Sequence, residues 1–407
     1  MERVVITGLG LVSPLGVDLK SSWENCINGK SGVGEITHFD TSGFKIKIAA
    51  QIPSEFEDIV TQSIKKRIRK QMTRSVQVYA VATQMAVEDS GFDFETGDSE
   101  RYGAAIGASG TDYPSEDMSN VTAFDSGRIV KSMSNAFPAW TSLQYGLTGP
   151  TFTVSTACSS GGYAMALAFD QIAMGLCDVM ISGASCCPIL PEFIAGFGDI
   201  QAMSERNVSP EEASCPFDVS RDGFVMGEGA GVLILESETS ARNRGAHIYA
   251  EVRRPALLGE AYNIVSPRPD GVGMARCMET ALKQAGLNTS DVDYINAHGT
   301  STPLNDAYEA KAIMSSFGND AGKLAVSSTK SVTGHCLAAA GGVEAVLSCM
   351  TLETGVIPPT MNLHEQDPDV GLDFVPMEAR NAKVDAVLSN SFAFGGHNSV
   401  VPFIRYE

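Results

Sequence analysis

Short apolar, strand-like runs alternate with helical patterns along nearly the whole chain, and this alternation limits the possible folds more than any other feature. In the first 250 residues such runs occupy positions 4–7, 102–106, 179–182 and 231–235, and a helical pattern covers 76–89. A second set follows, with strand-like runs at 248–252, 292–295, 325–327, 386–389 and 399–403 and helical patterns at 273–285, at 306–317 and from about Ala338. Such alternation predicts an α/β fold in which helices cover the sheets.

Two pairs of segments echo each other across the chain. Residues 5–16 and 294–305 each combine a strand-like run with a glycine-bearing loop that ends in Ser-Pro-Leu or Thr-Pro-Leu. Residues 154–162 and 326–335 each lead from a strand end through small polar residues into a helix. The shared order predicts a duplicated unit with halves at residues 1–250 and 251–407; a chance resemblance is the alternative. No Ser/Gly/Pro-rich linker separates the halves, so we expect them to pack as one body.

The composition is typical of a globular protein that has no membrane partner. Of 407 residues, 43% are hydrophobic and 19% are charged, as in folded rather than disordered chains. The start Met-Glu-Arg-Val-Val-Ile-Thr is typical of a strand rather than a secretion signal, and no apolar run is long enough to cross a bilayer. We therefore expect a cytoplasmic protein. Nine cysteines without a CxxC and six histidines without HxxxH spacing argue against disulfides and a metal site.

The charge balance is strongly acidic, with 29 basic and 48 acidic residues and a net charge of −19. Such a surface argues against nucleic-acid binding. The main local exception is the segment 64–74, in which Lys65, Lys66, Arg67, Arg69, Lys70 and Arg74 supply six positive charges. The segment is either a solvated helix face or a landing site for an acidic partner, which the remaining surface would repel.

Cys158 lies where a strand-like run, 151–154, gives way to a helical pattern, 161–172. A thiol at a helix N-terminus meets unpaired backbone N–H groups and the positive end of the helix dipole. Both favour the thiolate, so we expect the pKa of Cys158 to be lower than the usual value of about 8.5. A small buried structural residue is the alternative, because free cysteines are commonly buried.

Two histidines also follow strand-like runs. His298 comes directly after the run 292–295, in a loop with hydroxyls at Thr300 and Thr302, and His335 lies between the run 325–327 and a small-residue helix. Lys330 precedes His335 by five residues. Because ligands of α/β sheets gather at the carboxyl ends of strands, these groups are candidates for one site. Structural histidines with satisfied hydrogen bonds are the alternative.

A further loop, Ser-Phe-Ala-Phe-Gly-Gly-His at 391–397, follows the strand-like run 386–389. Paired glycines allow positive φ and a close approach to a ligand. Phe392 and Phe394 either belong to the core or line a channel.

Together these motifs resemble those of the elongating β-ketoacyl-[acyl-carrier-protein] synthases of fatty-acid synthesis and the related ketosynthases of polyketide pathways. They are Thr-Ala-Cys-Ser-Ser-Gly around Cys158, Asn-Ala-His-Gly-Thr-Ser-Thr-Pro around His298, Ser-Ser-Thr-Lys-Ser-Val-Thr-Gly-His at 327–335, and Phe-Gly-Gly at 394–396. The resemblance extends from Val4 to the end of the chain and includes Arg-Asp-Gly-Phe-Val-Met-Gly-Glu-Gly-Ala-Gly at 221–231.

The resemblance implies the thiolase fold, two layered α-β-α-β-α halves with mixed five-stranded sheets. It also implies that Cys158 accepts an acyl chain and that the backbone N–H groups of Cys158 and Phe394 form an oxyanion hole. His298 and His335, with Lys330, would then act on malonyl-[acyl-carrier protein], which loses CO2 and condenses with the acyl group.

The resemblance assigns further roles outside the catalytic groups. Glu344 is the expected counter-ion of Lys330, Phe394 the gate, Thr300 and Thr302 the hydroxyls that bind phosphopantetheine, and Gly110 and Phe197 further substrate-binding residues. Lys65, Arg69 and Arg206 are the expected carrier-docking residues. No metal or diffusible cofactor is expected, and the partners are an acyl carrier protein and a second subunit, as a homodimer or a heterodimer with a chain-length-factor-like chain. The dimer would form through the sheets of the amino-terminal halves.

Several positions depart from the fatty-acid enzymes, namely Ser159-Ser160 after the nucleophile, Gly110 in place of a bulky apolar residue, Ala338, Ala393 and His397. They imply a remodelled acyl pocket and gate, and they keep open a specialised polyketide or aryl-polyene ketosynthase. A non-condensing chain-length factor is a further alternative, although such subunits typically lack the nucleophile. A coenzyme A thiolase is another, although its second cysteine is missing from the loop at 391–397.

Overall fold

A computed structural model describes residues 1–109, 128–368 and 370–407, with the side chains of Arg128 and Ser132 not described. Its strands are β1 (Val4–Val12), β2 (Val33–Glu35), β3 (Ile48–Ala50), β4 (Tyr102–Gly107), β5 (Thr151–Val154), β6 (Val179–Cys186), β7 (Gly229–Ser237), β8 (Ala250–Val252), β9 (Ala256–Gly259), β10 (Tyr294–Asn296), β11 (Ala325–Ser327), β12 (Val356–Ile357), β13 (Arg380–Asn381), β14 (Ala386–Ala393) and β15 (His397–Ile404). Its helices are α1 (Leu19–Ile27), α2 (Phe56–Ser63), α3 (Lys66–Arg69), α4 (Arg74–Ser90), α5 (Arg128–Ser132), α6 (Ala136–Tyr145), α7 (Ser160–Ala173), α8 (Pro191–Asp199), α9 (Glu238–Arg244), α10 (Val272–Ala285), α11 (Pro303–Phe317), α12 (Lys330–Thr333) and α13 (Ala340–Thr354). Within the described ranges, no helix is both long and apolar enough to cross a lipid bilayer.

The main sheet consists of two five-stranded groups that are hydrogen bonded to each other. One group has the order β5-β4-β6-β7-β1, and the other has the order β11-β10-β14-β15-β8. Strand β8 pairs with both β1 and β15, so the two groups form one continuous surface, and β9 adds to β15. The mixed five-stranded sheets expected from the resemblance are therefore present and are joined at β8.

Strand directions confirm the duplication. In the first group β5, β4 and β6 are parallel and β7 is antiparallel, and in the second β11, β10 and β14 are parallel and β15 is antiparallel. The echo between residues 154–162 and 326–335 is a true equivalence because these segments follow β5 and β11. The echo between residues 5–16 and 294–305 is wrong. Strand β1 lies beside β7 and antiparallel to it, whereas β10 is the middle of three parallel strands.

Helices α7 and α13 lie at the centre of the molecule. Helix α7 packs on β4 and β6, and α13 packs on β6, β7 and β14. The two helices touch where a Cβ added to Gly161 would lie 2.7 Å from the amide nitrogen of Gly342, so only glycine allows the observed distance. Helix α4 covers the outer face at β1 and β7, and α10 covers the face at β15. The helices on the sheet groups therefore form the layered α/β arrangement that the resemblance implies.

The parallel strands bring four loops to one edge of the sheet. Strand β5 leads to Cys158, β10 to His298, β11 to Lys330 and β14 to Phe394. Because β5 and β11 hold equivalent positions in the two groups, the nucleophile and the lysine come from matching loops of the two halves. The fold thereby collects the predicted chemical groups from segments far apart in sequence.

Candidate active site

Cys158 lies in a tight turn just before α7. Ala157 has a φ of 51°, which an L-residue adopts only when its surroundings hold it there. The hydroxyl of Ser160 donates to the carbonyl of Ala157 at 2.6 Å and accepts the N–H of Thr156 at 2.9 Å, and the hydroxyl of Ser159 donates to the carbonyl of Thr156 at 2.8 Å. Ser159 and Ser160, which depart from the fatty-acid pattern, thus hold the nucleophile turn.

The expected lowering of the Cys158 pKa is wrong. The residue is only 8% exposed, and burial raises the pKa of its thiol to about 11. The charge of Lys330 and the backbone N–H groups of Phe394 and Cys158 lower this pKa, but by less than burial raises it. The sequence indicated the helix terminus but not how far the turn is removed from water, which penalises the thiolate. Cys158 is a neutral thiol at rest.

Two buried imidazoles adjoin this thiol. Nε2 of His335 lies 3.1 Å from Sγ of Cys158, and the rings of His298 and His335 are 5.3 Å apart and nearly perpendicular. Burial lowers the pKa of both histidines well below 6.5, and the positive charge of Lys330 lowers both further. Both imidazoles are therefore neutral at physiological pH, and each offers one N–H donor and one acceptor.

Lys330 and Glu344 form a buried ion pair beside the imidazoles. Their side chains are each 2% exposed, and Nζ of Lys330 donates a hydrogen bond to Oε1 of Glu344. Burial raises the pKa of Glu344 to about 7, although Lys330 opposes the rise. The structure therefore places Lys330 and Glu344 together as expected.

Glu309 was missed by the sequence reasoning and holds the His298 loop. Its carboxylate accepts the backbone N–H of His298 at 2.9 Å, the N–H of Gly299 at 2.8 Å and the side-chain amide of Asn390 at 3.2 Å. Burial raises its pKa to about 7. The available signal was an acidic residue on the apolar face of α11, in register with Ala312 and Ile313, which are also buried. A carboxylate buried in such a stripe needs donors from neighbouring loops.

The loop after β14 forms another wall of the cavity that contains the histidines. Gly395 and Gly396 have φ values of 82° and 70°, so the predicted glycine turn is present. The turn brings the backbone N–H of Phe394 to the Cys158 thiol, where the N–H of Cys158 itself also points. The ring of Phe394 lies 6.4 Å from the ring of Phe197. His397 packs edge-on against Tyr163.

A cavity of about 470 Å³ joins these groups. Its walls are mainly apolar and include Phe193, Phe197, Phe224, Leu337, Phe392 and Phe394, with Thr300 and Thr302 on the polar side. The hydroxyls of Thr300 and Thr302 are 2.9 Å apart. The structure thus places Phe197, Thr300 and Thr302 in the cavity, whereas Gly110 lies outside the described residues.

The same atoms meet the distance requirement for a metal site. Sγ of Cys158 and one ring nitrogen each of His298 and His335 lie within 4.8 Å of one another. Thiolate and imidazole donors suit a transition metal, but the thiol and the neutral rings are equally suited to acyl transfer. The absence of a metal requirement therefore stays a prediction.

The predicted docking residues differ in exposure. Lys65 is exposed at the start of α3, and Arg69 is partly buried and donates a hydrogen bond to Thr61. Arg206 is fixed by the carbonyl of Ser220 and lies 3.6 Å from the carboxylate of Asp222. Lys65 is therefore the most available of the three cations, and both arginines are partly buried.

A thiol, two neutral imidazoles and a buried lysine at one edge of a duplicated α/β fold define a condensing enzyme of the thiolase fold. The chain belongs to the β-ketoacyl synthase family: residues 1–241 match the family's N-terminal domain, and residues 249–364 match its C-terminal domain.

Relatives and solved structures agree with this assignment. The chain is 42% identical to the 3-oxoacyl-[acyl-carrier-protein] synthase 2 of Coxiella burnetii, over 99% of both chains. A type II polyketide acyl-carrier protein in complex with its ketosynthase bound to the hexaketide contains a chain that matches with a TM-score of 0.90 and 34% identity over 100% of both chains. The ishigamide ketosynthase/chain length factor matches with a TM-score of 0.89 and 32% identity, again over 100% of both chains.

Proposed function

We propose that this enzyme condenses an acyl group on Cys158 with malonyl-[acyl-carrier protein], releasing CO2 and a β-ketoacyl-[acyl-carrier protein]. The observation that carries the proposal is the 3.1 Å contact between Sγ of Cys158 and Nε2 of His335. The backbone N–H groups of Phe394 and Cys158 reach the same thiol. A nucleophile, a base and an oxyanion site are therefore assembled at one point.

In the first stage Cys158 takes the acyl chain from the carrier protein. Because burial raises the pKa of the thiol to about 11, attack requires a base at the moment of reaction. Nε2 of neutral His335 is within hydrogen-bond reach and accepts the proton. Sγ forms a bond to the acyl carbon, the N–H groups of Cys158 and Phe394 stabilise the oxyanion, and the carrier thiolate leaves with the proton.

In the second stage the malonyl thioester loses CO2, and its electron pair forms an enolate. The imidazoles of neutral His298 and His335 stabilise the enolate oxygen by donating hydrogen bonds without transferring a proton, and for this stage His335 carries its hydrogen on Nε2 rather than on Nδ1 as in the first stage. Lys330 supports this role because its charge lowers the pKa of both imidazoles. The enolate carbon attacks the thioester, and the Cys158 thiolate leaves and regains one proton from solvent.

The carrier protein delivers both substrates. Thr300 and Thr302 would bind its phosphopantetheine arm, Phe197 would contact the acyl chain, and Lys65, Arg69 and Arg206 would contact its acidic surface.

Every step above has a protein group assigned to it, so we infer that no metal or diffusible cofactor is needed. Nine free cysteines suit a reducing cytoplasm. We place the boundary between the two halves at residues 250 and 251.

The enzyme would act as a dimer, either with itself or with a chain-length-factor-like chain. The sheet ends at β5, and no other described strand pairs with its outer side. An unpaired edge strand is a template for a second chain. Ile129 and Leu143, on the nearby helices α5 and α6, are 77% and 76% exposed and would be covered by the same partner.

A specialised polyketide or aryl-polyene pathway is the second candidate for the biological setting. The match to the ketosynthase bound to the hexaketide and the match to the ketosynthase/chain length factor favour it. The relative named 3-oxoacyl-[acyl-carrier-protein] synthase 2 favours ordinary elongation. The chemistry at Cys158 is the same in both settings, and only the acyl chain differs.

The test is a condensation assay with purified protein, acyl-carrier proteins of several chain lengths and malonyl-carrier protein. Mass spectrometry should detect a β-ketoacyl-carrier protein two carbons longer than the primer, and the acyl group on Cys158 before malonyl is added. No acylation and no product with short, long and unsaturated primers would refute the proposal. The primer that acylates Cys158 fastest identifies the pathway.

A further inference from the structure

The loop that carries Thr300 and Thr302 is held in an unfavourable backbone conformation. Ser301, between the two threonines, has a φ of 67°. Its N–H donates to Asp306 at 3.1 Å, its carbonyl accepts the N–H of Gly223 at 3.1 Å, and its hydroxyl accepts the N–H of Cys215 at 3.0 Å. Both of its backbone polar groups are therefore fixed, and the segment 215–223 of the other half holds its carbonyl and its side-chain hydroxyl. Such strain persists only where the surroundings determine it, and it is concentrated at functional sites.

Arg221 completes this arrangement from the same segment. Nε donates to the carbonyl of Thr302 at 3.1 Å, Nη2 to that of Pro303 at 2.8 Å and Nη1 to that of Asp218 at 2.7 Å. The side chain is 13% exposed and lies 3.8 Å from Asp306. One planar guanidinium thus connects the consecutive carbonyls of Thr302 and Pro303 to the carbonyl of Asp218, which lies in the segment 215–223.

The stability of α11 does not account for the position of the Arg221 guanidinium. Thr302 is the N-cap of α11, and a cation beside a helix N-terminus opposes the positive end of the dipole. Asp306, in the first turn, only offsets this cost. A guanidinium at that end is explained instead by what it holds, namely the backbone that directly follows the Thr302 side chain.

We propose that Arg221 is a positioning residue, which fixes the hydroxyls of Thr300 and Thr302 so that they bind the amides of the pantetheine arm. This inference rests on the proposed function. The two hydroxyls are 2.9 Å apart and both line the cavity. Since one of them donates to the other, the pair retains one O–H donor and free lone pairs. An amide of the arm offers the matching N–H and C=O groups, and recognition requires a fixed separation of the hydroxyls.

The experiment compares two malonyl thioesters, malonyl-pantetheine and S-ethyl malonyl thioester, on acylated enzyme, with CO2 release as the readout. The variant R221K keeps the charge but cannot reach two carbonyls in a plane. Wild type should prefer the pantetheine thioester. R221K should lower kcat/KM for that substrate by about 3- to 10-fold, the factor expected when one hydrogen bond is lost. It should leave kcat/KM for the ethyl thioester unchanged. The loss with the pantetheine thioester should appear in KM rather than in kcat.

R244K is the matched control, because Arg244 is also partly buried and also joins a carboxylate, Glu236, and a backbone carbonyl, that of Ser90. It belongs to α9, and its partners lie neither in the Thr300 loop nor in the segment 215–223. R244K should retain the wild-type preference even if its Tm falls. An unchanged preference in R221K, or an equal loss with both thioesters, overturns the positioning role. Failure of wild type to release CO2 from either thioester counts against the proposed function instead.

Discussion

Removing the buried charges next to the nucleophile should make Cys158 less reactive, and the double variant K330M/E344Q tests this. Replacing Lys330 alone would leave Glu344 buried without its partner, a change that strongly destabilises proteins. Replacing both avoids that defect. Lys330 is the largest of the groups that lower the Cys158 pKa, and Glu344 raises it by less. The net effect of the double variant is therefore a higher thiol pKa than in wild type.

The magnitude follows from the thiol pKa of about 11 in wild type. At pH 8 only about one thiol in a thousand is ionised, and this fraction rises about tenfold with each pH unit up to about pH 10. The rate of alkylation by iodoacetamide should follow the same slope. In the double variant the whole profile should move to higher pH, so that alkylation is slower at each pH below its plateau.

The assay is a pH series of iodoacetamide labelling, with the labelled Cys158 peptide quantified by mass spectrometry. Peptide mapping is required because eight further cysteines are present. A wild-type rate that is constant from pH 6 to pH 9 would show that the thiol is already ionised at pH 6, with a pKa below 6, and would refute the reasoning from burial. Faster labelling of the double variant would refute the role assigned to Lys330.

Three further predictions concern Cys158, Glu309 and Lys65. Cys158→Gln should abolish acylation and condensation while CO2 release from malonyl-carrier protein persists, because His298 and the enolate site remain; loss of both activities would contradict the division of roles. Burial raises the pKa of Glu309 from 4.5 to about 7, so its stabilising contribution is present below about pH 4.5 and is lost as pH rises through about 7. This loss is about 3 kcal/mol, and Glu309→Gln should flatten the corresponding fall in Tm, whereas an unchanged slope would contradict the assignment. Lys65→Glu should raise KM for carrier-bound substrates several-fold at low salt, and Lys20→Glu, another exposed lysine, should not; equal effects would show general charge repulsion.

The sequence predicted the position of each catalytic group better than its environment. Cys158, His298, His335 and Lys330 each follow a strand, and strand ends of a parallel sheet converge, so their meeting was predictable from local patterns. The direction of the Cys158 pKa shift was not, because it depends on how completely α7 and the surrounding loops exclude water. That is a property of tertiary packing and not of the turn itself.

Equivalences between segments were also only partly predictable. The motif at 154–162 and the motif at 326–335 resemble each other because the same strand-to-helix geometry constrains both. The segments 5–16 and 294–305 share a glycine loop and a proline. These residues indicate only that a turn is present, and they do not indicate which strands lie beside β1 or β10. The role of Glu309 was not predictable for a related reason. A helix pattern shows that an acidic residue faces the core, but the backbone N–H groups that donate to it, those of His298 and Gly299, lie on another element.

The close contact between α7 and α13 at Gly161 and Gly342 shows how the two halves of the chain are arranged. Two equivalent helices meet at their glycines, and two equivalent loops supply the nucleophile and the lysine at one common site. This is the geometry of a symmetric pair of identical subunits. The present chain has the arrangement of such a pair joined in one polypeptide, in which the first half supplies the thiol, the second half supplies the imidazoles and the lysine, and the site is complete only with both.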